Sequence, residues 1–187
     1  LVRLLEALRA KDTPFCVVDT HAGSGLYQLQ APGEFEQGIG RLWPVRRDWP
    51  LLESYFTLLD PFNHGSLHAY PGSPLLIAQR LRAQDRAVFV ERQPEEAVAL
   101  ADNLRSAGMH ECRERGTRGR RAIVIHAADG YAMLKALVPP RENRGLVFID
   151  PPYEQPREFE QLAESLRDAV RRWRNGLSCA WYPVKQR

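Results

Sequence analysis

The sequence predicts an α/β fold: a mostly parallel sheet with helices on both faces and a helical insertion after the first strand. Three observations predict it. Five short apolar runs, at residues 15–19, 87–91, 122–127, 146–150 and 177–182, are rich in β-branched or aromatic side chains and nearly continuous, as strands covered on both faces are. Helical patterns separate most of these runs, and such alternation argues for parallel strands joined by crossover helices. One block, residues 26–70, breaks the alternation where a simple strand–helix unit needs only a tight turn.

The elements follow in order. Leu1, Leu4, Leu5 and Leu8 have helical spacing. After the first strand, residues 26–70 carry Trp43, Trp49, Tyr55, Phe56, Leu58 and Leu59, enough apolar surface to pack, and 51–59 has a helical pattern. This block reads as an inserted helical subdomain, with Trp43 and Trp49, like Trp173, as core. Ser73-Pro74 reads as N-cap and first position of a helix through residue 82. Residues 94–107 place Val98, Ala101 and Leu104 on one face and stop at Gly108. Residues 130–137 form a short helix. Residues 156–175 carry Phe159, Leu162, Ala163, Leu166, Ala169, Val170 and Trp173 at helical spacing before Gly176.

Composition narrows the class. A chain of 187 residues suits one domain, 1–187, and 44% hydrophobic with 26% charged residues is ordinary for a globular protein. No apolar run reaches the ~18 residues of a membrane span, and no secretory signal is evident, so a cytoplasmic protein is expected. Cys16, Cys112 and Cys179 are too scattered for a disulfide framework or a zinc site, and read as unpaired thiols. His64, His68 and His110 lack metal-ligand spacing, and His126 reads as a core residue, so no metal is expected. Arginine far outnumbers lysine, which is compatible with phosphate contacts without showing them. The basic stretch 112–121, with Arg113, Arg115, Arg118, Arg120 and Arg121, reads first as a solvated loop. The first residues lie inside a helical pattern without an initiating Met, and the last follow a strand-like run; a fragment is expected.

The motifs lie at strand ends. The first strand runs into Asp19-Thr20-His21-Ala22-Gly23-Ser24-Gly25, a small loop that lets a ligand approach the backbone closely. The second ends in Glu91, an acid placed to accept hydrogen bonds from ribose hydroxyls or to cap the helix at Pro94. The third ends in Ala128-Asp129-Gly130, where Asp129 can cap the next helix and also meet an adenine. The fourth ends in Asp150-Pro151-Pro152-Tyr153. Two prolines lock the backbone there, holding a carboxylate, a carbonyl and an aromatic ring in fixed relation. An exocyclic adenine amine is a poor nucleophile because its lone pair is delocalised into the ring. The Asp150 carboxylate and the Pro151 carbonyl can accept both of its N–H groups and so favour a pyramidal nitrogen. Tyr153 can stack on the base, worth ~1–3 kcal/mol. A base in a helix cannot reach such a pocket, so an unpaired or flipped adenine is implied.

With these motifs in view, the sequence resembles the bacterial 23S ribosomal RNA adenine-N6 methyltransferase family, once described as proteins of external-DNA catabolism. The resemblance rests on Asp19 through Leu29, Tyr70-Pro71-Gly72-Ser73-Pro74, Ala128-Asp129-Gly130, Gly145 through Tyr153 and Ala180-Trp181-Tyr182-Pro183, and spans nearly the whole chain. It implies a Rossmann-like class I methyltransferase sheet and S-adenosyl-L-methionine as cofactor. It implies cofactor contacts from His21, Ser73, Glu91, Asp129, Gly130 and Asp150, joining Asp19, Gly23 and Gly25 of the first loop, with Asp150 as catalytic acceptor alongside Pro151 and Tyr153. It also implies 23S rRNA as partner, and a monomer is expected. The resemblance further implies a basic N-terminal segment and closing strands outside residues 1–187, in keeping with the expected fragment. The same residues leave two alternatives open: N6-adenine methylation of DNA, and a non-catalytic nucleic-acid-binding protein concerned with external DNA.

Overall fold

The computed structural model describes residues 1–109 and 122–184. In chain order the elements are α1 (Val2–Arg9), β1 (Cys16–Asp19), β2 (Leu26–Gln28), α2 (Ile39–Leu42), α3 (Glu53–Leu59), β3 (Ala69–Pro71), α4 (Ser73–Arg80), β4 (Arg86–Glu91), α5 (Pro94–Ser106), β5 (Ala122–Ala127), α6 (Gly130–Leu137), β6 (Gly145–Ile149), α7 (Glu158–Arg172) and β7 (Leu177–Ala180). The five expected strands form one parallel sheet in the order β5-β4-β1-β6-β7. The order reverses between β1 and β6, so the loops after these two strands diverge and leave a crevice at their carboxyl ends.

Alternate side chains of the central strands feed two cores, as the period of 2 dictates. Val17, Ala87, Phe89 and Leu146 pack under α1, α4 and α5, with Leu5, Leu75, Ile77, Leu100 and Leu104. Cys16, Val18, Val88, Val90, Val147 and Ile149 pack under α6 and α7, with Leu134, Leu162 and Trp173. Burial pushes the Cys16 thiol up to about 12, so it is an inert apolar filler. The central strands β1, β4 and β6 are covered on both faces. β5 and β7 depart from that expectation. They are the outer strands among the described residues, β7 is largely exposed, and His126 in β5 is only half buried.

Three helices differ in detail from the periodicity. α4 takes Gly72, not Ser73, as its N-cap and ends at Arg80. The buried stripe of α5 is Ala97, Leu100 and Leu104, and Val98, one step round the helix, is 63% exposed. α7 buries Leu162, Ala169 and the following Trp173, and leaves Phe159 and Val170 in solvent. His110, Cys112 and the arginines of 112–121 lie outside the described residues.

The block 26–70 contains α2, α3 and four short 3-10 turns around its own core of Ile39, Trp43, Phe56, Leu58 and Leu59. Trp43 is buried as expected, whereas Trp49 is half exposed. The antiparallel pairing of β2 with β3 was not legible in the sequence. Asn63, fully buried, holds the block shut. Its amide donates to Leu59 O and Ala69 O, and its Oδ1 accepts from the His68 and Ala69 N–H groups. The ribbon matters for the site because it returns the chain to where it left: Gly72 N–H donates to Gly25 O at 2.8 Å. α4 therefore begins where a helix directly following the Gly23–Gly25 loop would begin.

Candidate active site

Four loops converge at the crevice. The β1 loop is anchored by Thr20 N–H and Oγ1, both donating to Phe148 O, and by Ala22 N–H donating to Val90 O at 3.0 Å. Gly23 (φ 59°) and Gly25 (φ 80°) turn it in left-handed conformations that a side chain disfavours. A Cβ on Gly23 would sit 2.1 Å from the Tyr27 hydroxyl. Glu91 ties this loop to the end of β4: Oε2 accepts from Gly23 N–H and Oε1 from Gln93 N–H, both at 2.8 Å. Each oxygen keeps a second lone pair for a ligand hydroxyl. Its two roles, steadying the turn before α5 and facing the crevice, coexist.

Asp129 caps α6 by accepting from Ala132 N–H at 2.9 Å, as expected. Gly130 is the point where α6 meets the β1 loop; a Cβ there would lie 2.0 Å from Thr20 O. Asp150 follows β6 directly, and the three residues after it form no regular element. Tyr153 adopts φ 55°, donates its hydroxyl to Trp181 O at 2.5 Å and packs its ring 4.7 Å from that of Phe159. Trp181 N–H donates in turn to Ile149 O, which pins the segment after β7 against the end of β6.

These loops bound one cavity of about 1950 Å³. His21, Gly23, Ser73, Glu91, Asp129, Gly130, Asp150 and Pro151 all line it, so the sequence-predicted residues of four different strand ends meet in one place. Asp19, Gly25 and Tyr153 do not line it. Asp19 is fully buried, Gly25 lies beneath the loop against Leu100, and the Tyr153 ring is turned to Phe159.

The electrostatics follow from burial. Loss of water raises the Asp19 carboxyl to about 7, helped by the charges of Asp150 and Glu91; the His21 N–H and the nearby Ser73 hydroxyl, which lies outside hydrogen-bond geometry, pull the other way. Its Oδ2 has no hydrogen-bond partner among the described residues. Partial burial also raises Asp150. Burial holds the His21 imidazole low, favouring the neutral form; its Nδ1 meets Thr20 Oγ1 at 2.9 Å and its ring meets Tyr131 edge-on at 4.8 Å.

The family model described as ribosomal RNA large subunit methyltransferase D, RlmJ, matches residues 12–187. The chain belongs to this family. Ribosomal RNA large subunit methyltransferase J of Escherichia coli K12 is 37% identical over 97% of the chain and 62% of its own length. The protein of the same name from Haemophilus influenzae is 34% identical over 98% of the chain and 63% of its own length. The crystal structure of protein LPL1258 from Legionella pneumophila superposes with a TM-score of 0.85 at 34% identity, covering 98% of the chain and 65% of that protein. The chain thus spans less than two thirds of each of these relatives.

Sequence reasoning about this RlmJ-family chain missed several residues of the cavity wall. Tyr131 and Trp181 are the clearest. Tyr131 directly follows Asp129-Gly130, and its buried hydroxyl has no partner among the described residues. Trp181 lies in a stretch that carried the resemblance, and 54% of its surface is open. Glu158 was missed because it reads as an ordinary first-turn acid. It is buried, and its Oε2 accepts from Gln155 N–H at 3.2 Å.

Proposed function

We propose that residues 1–187 form a single methyltransferase domain, with 26–70 as its insertion, that transfers a methyl group from S-adenosyl-L-methionine to N6 of an unpaired or flipped adenine in 23S rRNA. The observation that carries this reading is the shared cavity: Asp150-Pro151 at the end of β6 opens onto the same space as Gly23, Ser73 and Glu91. Methyl donor and acceptor amine must meet face to face, and one shared crevice at the topological switch point is where they can.

The residues present fit this cofactor. Gly23 brings its backbone to the cavity wall, and the Tyr131 hydroxyl, on a residue of that wall and without a partner among the described residues, is the kind of orphan a ligand network completes. Ser73, at the first position of α4, makes no capping bond, so its hydroxyl can meet the polar end of the ligand together with His21. Glu91 takes the ribose hydroxyls on its remaining lone pairs, and Asp129-Gly130 meets the adenine edge. The acidic wall of Glu91, Asp129 and Asp150 suits a ligand that carries a sulfonium charge. When bound, that sulfonium supplies an electrophilic methyl.

The chain's own part is positioning. Asp150 accepts one N–H of the target amine and the Pro151 carbonyl the other. This withdraws the lone pair from the ring and aims it across the cavity. Asp150 must be ionised to do so. The prolines supply rigidity, so little reorganisation is needed at the moment of transfer. Tyr153 braces the turn through Trp181, and stacks on a base only by swinging out from Phe159.

Asp150→Ala tests the reading, with labelled cofactor and 23S rRNA and duplex DNA as parallel acceptors. The expected result is transfer to rRNA adenine N6 by the wild type and none by the variant even at saturating cofactor, with folding retained. Near-normal turnover by Asp150→Ala, or transfer to DNA alone, overturns it.

A further inference from the structure

Trp49 is 50% exposed at the edge of the 26–70 block, beside Val45 at 43% and Leu51 at 79%. Val45 precedes the short 3-10 turn Arg46–Asp48, Trp49 joins it to a second, Pro50–Leu52, and Leu51 lies within that second turn. The same run holds Arg41, Arg46 and Arg47 against one acid, Asp48. Two of the arginines are engaged. Arg41 donates to the Gln37 side chain, and Arg46 lies 4.3 Å over the Trp43 ring with its Nη1 donating to Trp43 O at 2.7 Å. Arg47 is exposed and makes no ion pair or hydrogen bond among the described residues. Leu51, two residues past Trp49, lines the mouth of the cavity that holds Asp150 and Pro151.

An open indole, a guanidinium without a partner and continuity with the cavity mouth together suit one kind of partner. A single nucleic-acid strand presents a π-face at every base and an anion at every phosphate, and proteins grip such strands by pairing aromatic platforms with cations. An apolar peptide would gain from Val45, Trp49 and Leu51 but would leave Arg47 facing an uncharged surface. We infer that Trp49 and Arg47 form an outer docking point for the RNA strand that flanks the target adenine, Trp49 stacking on a neighbouring base and Arg47 meeting a phosphate. This rests on the methyltransferase reading above and extends it: the insertion sets which stretch of RNA is presented to Asp150.

The test uses the full chain carrying Trp49→Ala, Trp49→Phe or Arg47→Ala, with deproteinised 23S rRNA as probe. Equilibrium binding is measured across a salt series, and methyl transfer at varied RNA concentration. Trp49→Ala should raise Kd and KM for rRNA roughly tenfold, and Trp49→Phe should restore most of the loss. Arg47→Ala should reduce the slope of log K against log salt by about 0.7, one phosphate contact on a single strand. The kcat at saturating RNA, cofactor affinity and melting temperature should not change. Unaltered KM and salt slope in both alanine variants overturn the inference. So does a change of oligomeric state in Trp49→Ala with rRNA affinity intact, which would assign the patch to a second copy. If the wild type binds rRNA without methylating it, the functional reading fails, and the salt slope of Arg47→Ala still decides the docking point.

Discussion

Glu91 holds the backbone N–H of Gly23 at 2.8 Å, so one carboxylate at the end of β4 fixes the loop at the end of β1. The bond crosses between adjacent parallel strands, and the loop it fixes is the one nearest the proposed cofactor. Glu91→Ala should therefore act twice, losing a ligand contact and loosening the loop. Calorimetry should show cofactor affinity falling at least tenfold, with the melting temperature lowered by a few degrees, since a hydrogen bond to a charged group contributes about 1.5–3 kcal/mol. Glu91→Gln should be intermediate in affinity, because its amide keeps one acceptor oxygen and presents an N–H₂ to a backbone donor. Cofactor affinity unchanged in Glu91→Ala would remove Glu91 from the site.

Asp19 gives the fold a pH dependence of definite sign. Burial raises its carboxyl to about 7, above its unfolded value, so between the two values the folded state binds more protons than the unfolded state. Stability from this group is then present in acid and declines as pH rises toward 7, levelling beyond it. Asp19→Asn removes the titration. The difference in denaturant midpoint, variant minus wild type, should grow between pH 4 and pH 7 and stay flat from pH 8 upward. A constant difference across that range would mean that Asp19 is ionised throughout.

The sheet was legible because β1, β4 and β6 are buried on both faces, which leaves a continuous apolar signature that no surface element imitates. Asp150-Pro151 was legible for a related reason: the proline pair marks the strand end whatever the rest of the chain does. The Tyr153 ring was not, because letters give a phenol but not the left-handed φ of 55° that turns it toward Phe159. The β2–β3 ribbon was hidden because Leu26–Gln28 and Ala69–Pro71 are too short for a period, and their pairing depends on Asn63, a polar residue that looks like loop. Trp49 read as core from its apolar neighbours, whereas Pro50 and the tight turns around it carry the indole outward.

Gly130 is a second point where the site depends on close packing. A Cβ there would meet Thr20 O at 2.0 Å, and that oxygen belongs to backbone held on both sides by the sheet. Gly130→Ala should push α6 off the β1 loop, costing ~1–3 kcal/mol as overpacking does. It should also displace Asp129 and Tyr131 from the cavity wall. The melting temperature and cofactor affinity should fall together, in contrast to Asp150→Ala, which should leave the melting temperature near the wild-type value.

Arg86 and Glu142 supply a control for stability far from the chemistry. Arg86 Nε and Nη2 donate to the two Glu142 oxygens, each at 2.9 Å, with the Glu142 side chain only 6% exposed. Burial acts to raise the Glu142 carboxyl, but the Arg86 fork, with Arg141 Nε donating to Oε1 at 3.0 Å, holds it low as an anion. β4 begins at Arg86, so the pair clamps the start of the strand to the loop before β6. Glu142→Ala leaves the cation half buried without its partner, and should destabilise the fold by ~3 kcal/mol in denaturant melts at pH 7. The depressed Glu142 carboxyl adds stability above its unfolded value, lost as pH falls through its folded value. The penalty of Glu142→Ala should therefore shrink in acid. Cofactor affinity of the folded fraction should not change, since neither residue lines the cavity; a loss there would show that the start of β4 is coupled to Glu91 at its end.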